Sequence, residues 1–226
     1  MKKMKFVALA LTLLMGISFT SCLNSDSGNA SYSGFVTVSQ GYLSDNIVLL
    51  TDDGLTLTPT NPSMLLVDKK YPERVLLNYE LVEGEQLVSG KTKYNVTILG
   101  GFVIPVKTFN QRPDTLKNDY KISQLTAAWY ANRYVTFNIG FTHSNSTVDF
   151  DIYQQKIGHD TLYVKLNYSK GGGDAAYGDG NTFYSFKIPS SVYGVIEPKN
   201  DSIWVKILAK GTYETLQKSV RVKYGY

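Results

Sequence analysis

The side chains able to do chemistry are few. His143 and His159 are the only histidines, and Asp149, Asp151 and Asp160 lie near them in sequence. A zinc centre needs three or four His, Cys or carboxylate ligands in closed spacing; two separated imidazoles with no cysteine nearby do not supply it, so loop or surface histidines are expected. Asp149 and Asp151, one residue apart, share a strand face. Two carboxylates on one face are what acid–base cleavage of a glycosidic bond requires, but a solvated strand face has the same pattern and is the plainer expectation. Lys170-Gly171-Gly172-Gly173-Asp174 and Gly178-Asp179-Gly180-Asn181 have the glycines of a phosphate cradle or a calcium loop. Neither is followed by Lys-Ser/Thr opening a helix, nor by an acid ladder ending in Glu. They read as hairpin loops. With no nucleophile beside a base, the expectation is a non-enzymatic protein with no catalytic residue, no metal and no cofactor.

The most specific chemistry belongs to Cys22, the single cysteine. Lys2, Lys3 and Lys5 precede an apolar run over residues 6–19, and small residues then lead to the cysteine. These are the parts of a signal peptide in order. A membrane-spanning helix needs about 20 apolar residues, whereas this run is shorter and is broken by Thr12, Gly16 and Ser18. A thiol at the end of such a segment accepts diacylglycerol, and more than about one acyl chain makes the anchor effectively permanent. The expected precursor has a signal peptide over residues 1–21, lipid on Cys22, and a flexible tether over residues 22–33. It would reside in the cell envelope as an outer-membrane lipoprotein, with the membrane as its first partner. One acid, Asp26, follows the cysteine closely, and the choice between periplasmic and surface faces stays open. With Cys22 taken by lipid, stability must come from burial and not from disulfides.

The formal charge of +4 is mostly this address: the signal peptide holds three lysines and no acid, which leaves 20 basic and 19 acidic residues. From residue 34 onward the pattern is that of strands. Ile47 to Leu50 are apolar and end at Asp52-Asp53-Gly54, whose glycine suits a tight hairpin turn. Val75, Leu77, Tyr79 and Leu81 alternate, and Gly100-Gly101 interrupts a long strand, as at the corner of a barrel. Residues 34–106 are therefore expected to form a five-stranded OB-type barrel. Residues 107–121, with Pro113 and no period, read as a linker. Residues 122–226 alternate through six or seven further strands with no helical segment, predicting an antiparallel β-sandwich. The fold class is all-β.

An OB barrel invites a nucleic-acid reading, but single strands need a basic groove. Residues 31–106 carry 5 basic and 8 acidic residues, so nucleic acid is not an expected partner. Tyrosine is abundant, at 17 residues. Trp129, Tyr130 and Tyr134 are the candidate binding surface, for a protein partner or for sugar rings, although tyrosine also suits the outer face of strands. Thr115, Thr161 and Ser202 each follow an aspartate and precede an aliphatic residue. That is a short acceptor pattern for envelope O-glycosylation, and equally an Asp-Ser/Thr turn entering a strand.

Gly41-Tyr42, then Asp52-Asp53-Gly54-Leu55-Thr56-Leu57-Thr58-Pro59, then Glu73-Arg74-Val75-Leu76-Leu77-Asn78-Tyr79, then Trp129 and the strands after it occur in an order that resembles the NigD-like lipoproteins. The resemblance spans nearly all of the chain after the cysteine. It implies an N-terminal OB domain, a C-terminal β-sandwich, and a place in the envelope of a Gram-negative bacterium. The functional lead it carries is a protein-binding role as a bacteriocin-immunity protein; a glycan-binding outer-membrane accessory is the alternative. Where members have Arg-His-Asn, Leu166 is followed here by Asn167-Tyr168-Ser169, and only Gly173-Asp174 beyond it agrees. The family offers no active site to carry over.

Overall fold

The computed structural model describes residues 30–40, 47–111, 119–143, 147–170, 178–189 and 202–223. Cys22 and Thr115 lie outside them. Among the described residues nearly everything is strand, no helix is long and apolar enough to cross a membrane, and the chain divides into two compact units, Met1–Phe102 and Val103–Tyr226.

The first unit is a closed barrel of five strands: β1 (Ser31–Gln40), β2 (Ile47–Thr51), β3 (Thr56–Pro59), β4 (Arg74–Leu81) and β5 (Lys93–Val103). They close in the order β1-β2-β3-β5-β4. Alternation fixes which side chains fill it: Val36, Leu49, Leu57, Val75, Leu77, Val96 and Ile98 are all buried. Each such side chain contributes about 1.5–3 kcal/mol by leaving water. Gly54 turns β2 into β3 at φ +95°, with Thr51 N–H donating to Leu55 O at 2.9 Å. Gly101 lies against β4, where an added Cβ would sit 2.7 Å from Val75 Cγ1. The bend expected there is thus a close approach of two strands.

The tether expected over residues 22–33 ends earlier than its sequence suggests. β1 starts at Ser31, because Ser31, Tyr32 and Ser33 pair with Glu80, Tyr79 and Asn78 and Tyr32 stacks on Tyr79 at 5.7 Å. A polar composition did not prevent pairing once a partner edge was available.

The second unit is a two-sheet sandwich. One sheet has four strands in the order β6-β12-β9-β8: β6 (Val106–Thr108), β12 (Gly178–Lys187), β9 (Tyr134–His143) and β8 (Ile122–Ala131). The other has five, in the order β14-β13-β11-β10-β7: β14 (Thr215–Lys223), β13 (Ser202–Lys210), β11 (Thr161–Lys170), β10 (Asp149–Ile157) and β7 (Asn110–Gln111). Between them lies one core that includes Val135, Phe137, Ile139, Phe150, Ile152, Val164, Leu166, Val205 and Ile207. Phe150 stacks on Tyr168 at 4.7 Å and meets Phe141 edge-on at 5.4 Å. Antiparallel pairs dominate, but β11 and β13 run parallel, as do β6 with β12 and β7 with β10.

The stretch expected as a linker, residues 107–121, therefore contains sheet. Val106–Thr108 pairs with β12 at the edge of one sheet, and Asn110–Gln111 pairs with β10 at the edge of the other. Phe109 between them packs on the core. Two such short pieces leave no period to read, because each makes only a few ladder bonds before the chain changes sheet.

Candidate functional site

Strand β11 alternates Leu162, Val164 and Leu166 inward with Tyr163, Lys165 and Asn167 outward. Because β13 lies parallel beside it in register, Tyr163 stands next to Lys206, and Lys165 next to Leu208. On the other side Lys156 of β10 pairs with Tyr163. The result is a cross-strand row, Lys156, Tyr163 and Lys206, with the two ammonium groups 4.5 Å and 5.8 Å from the tyrosine ring centre. Cation–π contacts of this exposed kind are worth about 0.5–1 kcal/mol each. The next row holds Thr161, Trp204 and Arg221. Trp204 is 44% exposed, which is high for so large an apolar side chain.

The acids of this face are matched by lysines. Asp149 and Asp151 both bond to Lys107 Nζ, the latter at 3.2 Å. Partial burial works to lower the Lys107 pKa, but the hydrogen bond to Asp149 and the charge of both carboxylates outweigh it and hold the pKa raised. The two aspartates that could have served as a carboxylate pair are thus spent on a lysine that ties β6 to β10. Asp119 pairs with Lys165 at 2.5 Å, and its backbone oxygen accepts from Lys210 Nζ at 2.7 Å. Lys156 and Lys206 have no carboxylate partner among the described residues, so the middle of the face is positive.

Beside the row, a cavity of about 270 Å³ opens between Asp119, Gln155, Lys165, Leu208, Lys210 and Thr215. Gln155 is the bulge residue of β10, where the register with β11 shifts. Its Nε2 and the Oδ1 of Asp119 are both buried without a hydrogen-bond partner. The hairpin that joins Lys210 to Thr215 carries Tyr213, which is 99% exposed.

The residues singled out from sequence are placed differently. Trp129 and Tyr130 are strand neighbours and point to opposite faces: Trp129 meets Phe183 edge-on at 6.1 Å, while Tyr130 packs against the core. Tyr134 is 5% exposed, with Lys187 Nζ 5.8 Å from its ring centre. The three do not form one surface. On the outer side of that sheet Thr136 and Ser185 are fully buried and bond to each other at 2.8 Å. His143 lies at the end of β9 beside Phe141, 5.9 Å between ring centres; His159 is exposed in the β10–β11 turn. Among the described residues no group of three or more His, Cys, Asp or Glu could hold a metal ion. Thr161 donates to Asp160 Oδ1 at 2.8 Å, the local bond of an Asp-Thr turn. Ser202 is 6% exposed, which closes its hydroxyl to a transferase acting on the folded domain.

The outward lysines of β11 and β13 could be read as alternation in the sequence. Their meeting could not, since residues 43 apart in sequence, such as Tyr163 and Lys206, were brought together by a parallel pairing that no short-range signal marks. Asp119 and Lys107 lay in a stretch taken as linker.

The two-unit fold is shared with solved structures. A toxin-related protein from Parabacteroides distasonis superposes with a TM-score of 0.64 at 14% identity, covering 86% of this chain and 94% of that one. A protein described as a lipoprotein, from Bacteroides fragilis, gives 0.63 at 13% identity, over 86% and 98%. A NigD-like immunity protein from Bacteroides caccae gives 0.54 at 20% identity, over 83% and 91%. The fold implied by the NigD-like resemblance is therefore the observed one. No protein-family model and no curated protein matches the sequence.

Proposed function

We propose that the chain is a non-enzymatic lipoprotein of the cell envelope, held by lipid on Cys22, that binds an acidic protein partner through the outer face of its five-stranded sheet. The row Lys156, Tyr163, Lys206 with Trp204 exposed beside it carries this reading. Tryptophan and tyrosine are the residue types on which interface energy concentrates, and surrounding positive charge guides encounter and partner choice more than it adds affinity. Capture of Asp149 and Asp151 by Lys107 favours binding over acid–base catalysis. Similarity in fold to the NigD-like immunity protein supports an immunity role, with a bacteriocin as the partner. The cavity beside Gln155 favours a second reading, a glycan-binding accessory of the outer membrane.

Two experiments test this. Labelling with an alkyne palmitate should mark the wild type and not Cys22→Ser; equal label on both would remove the anchor. A photo-crosslinking residue at position 163 of the lipidated chain should give adducts with an envelope or toxin protein, whereas the same residue at position 129 should not. Adducts at 129 alone would move the binding face to the other sheet.

A further inference from the structure

Two groups of exposed apolar side chains stand on loops of the barrel: Met64, Leu66 and Val67 ahead of β4, and Leu87 and Val88 between β4 and β5. The two loops leave opposite ends of β4, and the pairing of β1 fixes which end the lipid reaches. Ser31 pairs with Glu80 near the close of β4, whereas Thr37 pairs with Arg74 at its start. The chain arriving from Cys22 therefore enters the barrel at the end that carries the β4–β5 loop. Cys22 and Ser31 are nine residues apart, a stretch that spans about 30 Å at full extension. An anchor that short keeps this end of the barrel close to the bilayer, so a loop there needs little affinity of its own to settle on it.

We propose that the β4–β5 loop dips Leu87 and Val88 into the bilayer interface, so that the anchored chain stands on the membrane by the tether end of its barrel. The proposal rests on the lipid on Cys22 and adds an orientation to it. The loop is built to hold its tip out. Tyr94 is buried; its hydroxyl oxygen accepts from Val88 N–H at 3.0 Å and lies 3.2 and 3.1 Å from the carbonyl oxygens of Val88 and Lys91. Lys91 N–H donates to Val88 O at 3.1 Å, and Glu85 accepts from Lys91 Nζ at 3.3 Å and from Asn95 Nδ2 at 2.9 Å. Val88 is 58% exposed and Leu87 41%, yet both backbone polar groups of Val88 already have partners. In lipid a peptide N–H or C=O without one is costly, so this tip enters without stranding the peptide groups of Val88. The loop and the first residue of β5 carry two lysines, Lys91 and Lys93, and two acids, Glu83 and Glu85. With charge balanced there, the contact is an apolar one with a zwitterionic surface.

The test uses the lipidated full chain in phosphatidylcholine vesicles that carry a doxyl-labelled lipid as quencher. With the single native cysteine taken by lipid, an introduced thiol is the one site for the fluorophore NBD. Ser89→Cys places it beside Val88 and Ser63→Cys beside Met64, both at exposed positions. The doxyl lipid should quench position 89 at least about threefold more strongly than position 63. Leu87→Asn together with Val88→Asn should bring position 89 down to the level of position 63, with flotation and melting temperature unchanged. Equal quenching at the two positions, stronger quenching at 63, or quenching at 89 that survives the double substitution would overturn the proposal. No quenching at 89 in a chain that still floats with the vesicles keeps the anchor and rejects the loop; a chain that does not float rejects the anchor and the proposal with it.

Discussion

Arg74 is fully buried in the barrel and grips Asp52 with both ends of its guanidinium, at 2.5 and 2.7 Å, while Nη1 also donates to Thr37 at 3.0 Å. Asp52 and Arg74 come from two separate stretches that carry the NigD-like resemblance, and the fold joins them. Removing one member of such a pair leaves the other charged and buried, which costs about 3–5 kcal/mol. Arg74→Ala should therefore loosen the barrel far more than an exposed Lys→Ala change. Both tryptophans lie in the other unit, so amide exchange along β4, and not tryptophan fluorescence, is the measurement to make. Tyr79 and Tyr168 respond to pH. Burial is the main cause that pushes each pKa up to about 12, helped by the charge of Asp53 for Tyr79 and by Tyr120 for Tyr168. Their neutral form is preferred in the fold, and Tyr168 Oη donates to Thr142 O at 3.0 Å. Below about pH 10 both folded and unfolded states keep the proton; between about 10 and 12 the unfolded chain loses it first, so stability falls through that window. Urea midpoints at about pH 9 and pH 11.5 should show the drop, and Tyr168→Phe should make it shallower. A midpoint unchanged over that range would contradict the burial of these hydroxyls.

Between strands, two contacts decide how well each unit closes. Gly101 leaves room for Val75 that a methyl group would take, at 2.7 Å, whereas an added Cβ at Gly100 meets nothing within 4 Å. Gly101→Ala should cost about 1–3 kcal/mol through overpacking and Gly100→Ala close to nothing; equal melting temperatures would mean the approach relaxes freely. Lys107 reaches from β6 to the two aspartates of β10. All three groups are about a quarter exposed, so water screens the attraction, and Lys107→Met should lower sandwich stability by about 1 kcal/mol, read by tryptophan fluorescence in urea. The barrel and most sandwich strands were legible because their apolar residues alternate, as Val75, Leu77 and Tyr79 do. Short edge strands were not: Val106–Thr108 and Asn110–Gln111 draw their stability from partners far along the chain. The same reason hid the proposed binding face, since Lys156, Tyr163 and Lys206 read as three ordinary outward residues until the β11–β13 register aligns them. Trp129, Tyr130 and Tyr134 do not share one exposed surface for simpler causes: the strand period sends Trp129 and Tyr130 to opposite sides, and Tyr134, on the same face as Trp129, is buried.

Over the whole molecule, charge is divided as well as fold. Residues 31–106 hold 5 basic and 8 acidic residues, and residues 107–226 hold 15 and 10. The positive half is the one with the cation–aromatic row and the cavity. A field of that kind raises encounter rates and weakens with salt. Hydroxyl-radical footprinting reads the face directly, without knowing the partner, by comparing the chain in intact envelopes with the same chain purified in detergent. Trp204 and Tyr163 are expected to be oxidised several-fold less in the envelope, with Trp129 and Phe183 unchanged. Oxidation of Trp204 and Tyr163 that is equal in both settings, with protection at Trp129 and Phe183 instead, would contradict the assignment of the five-stranded sheet as the binding face.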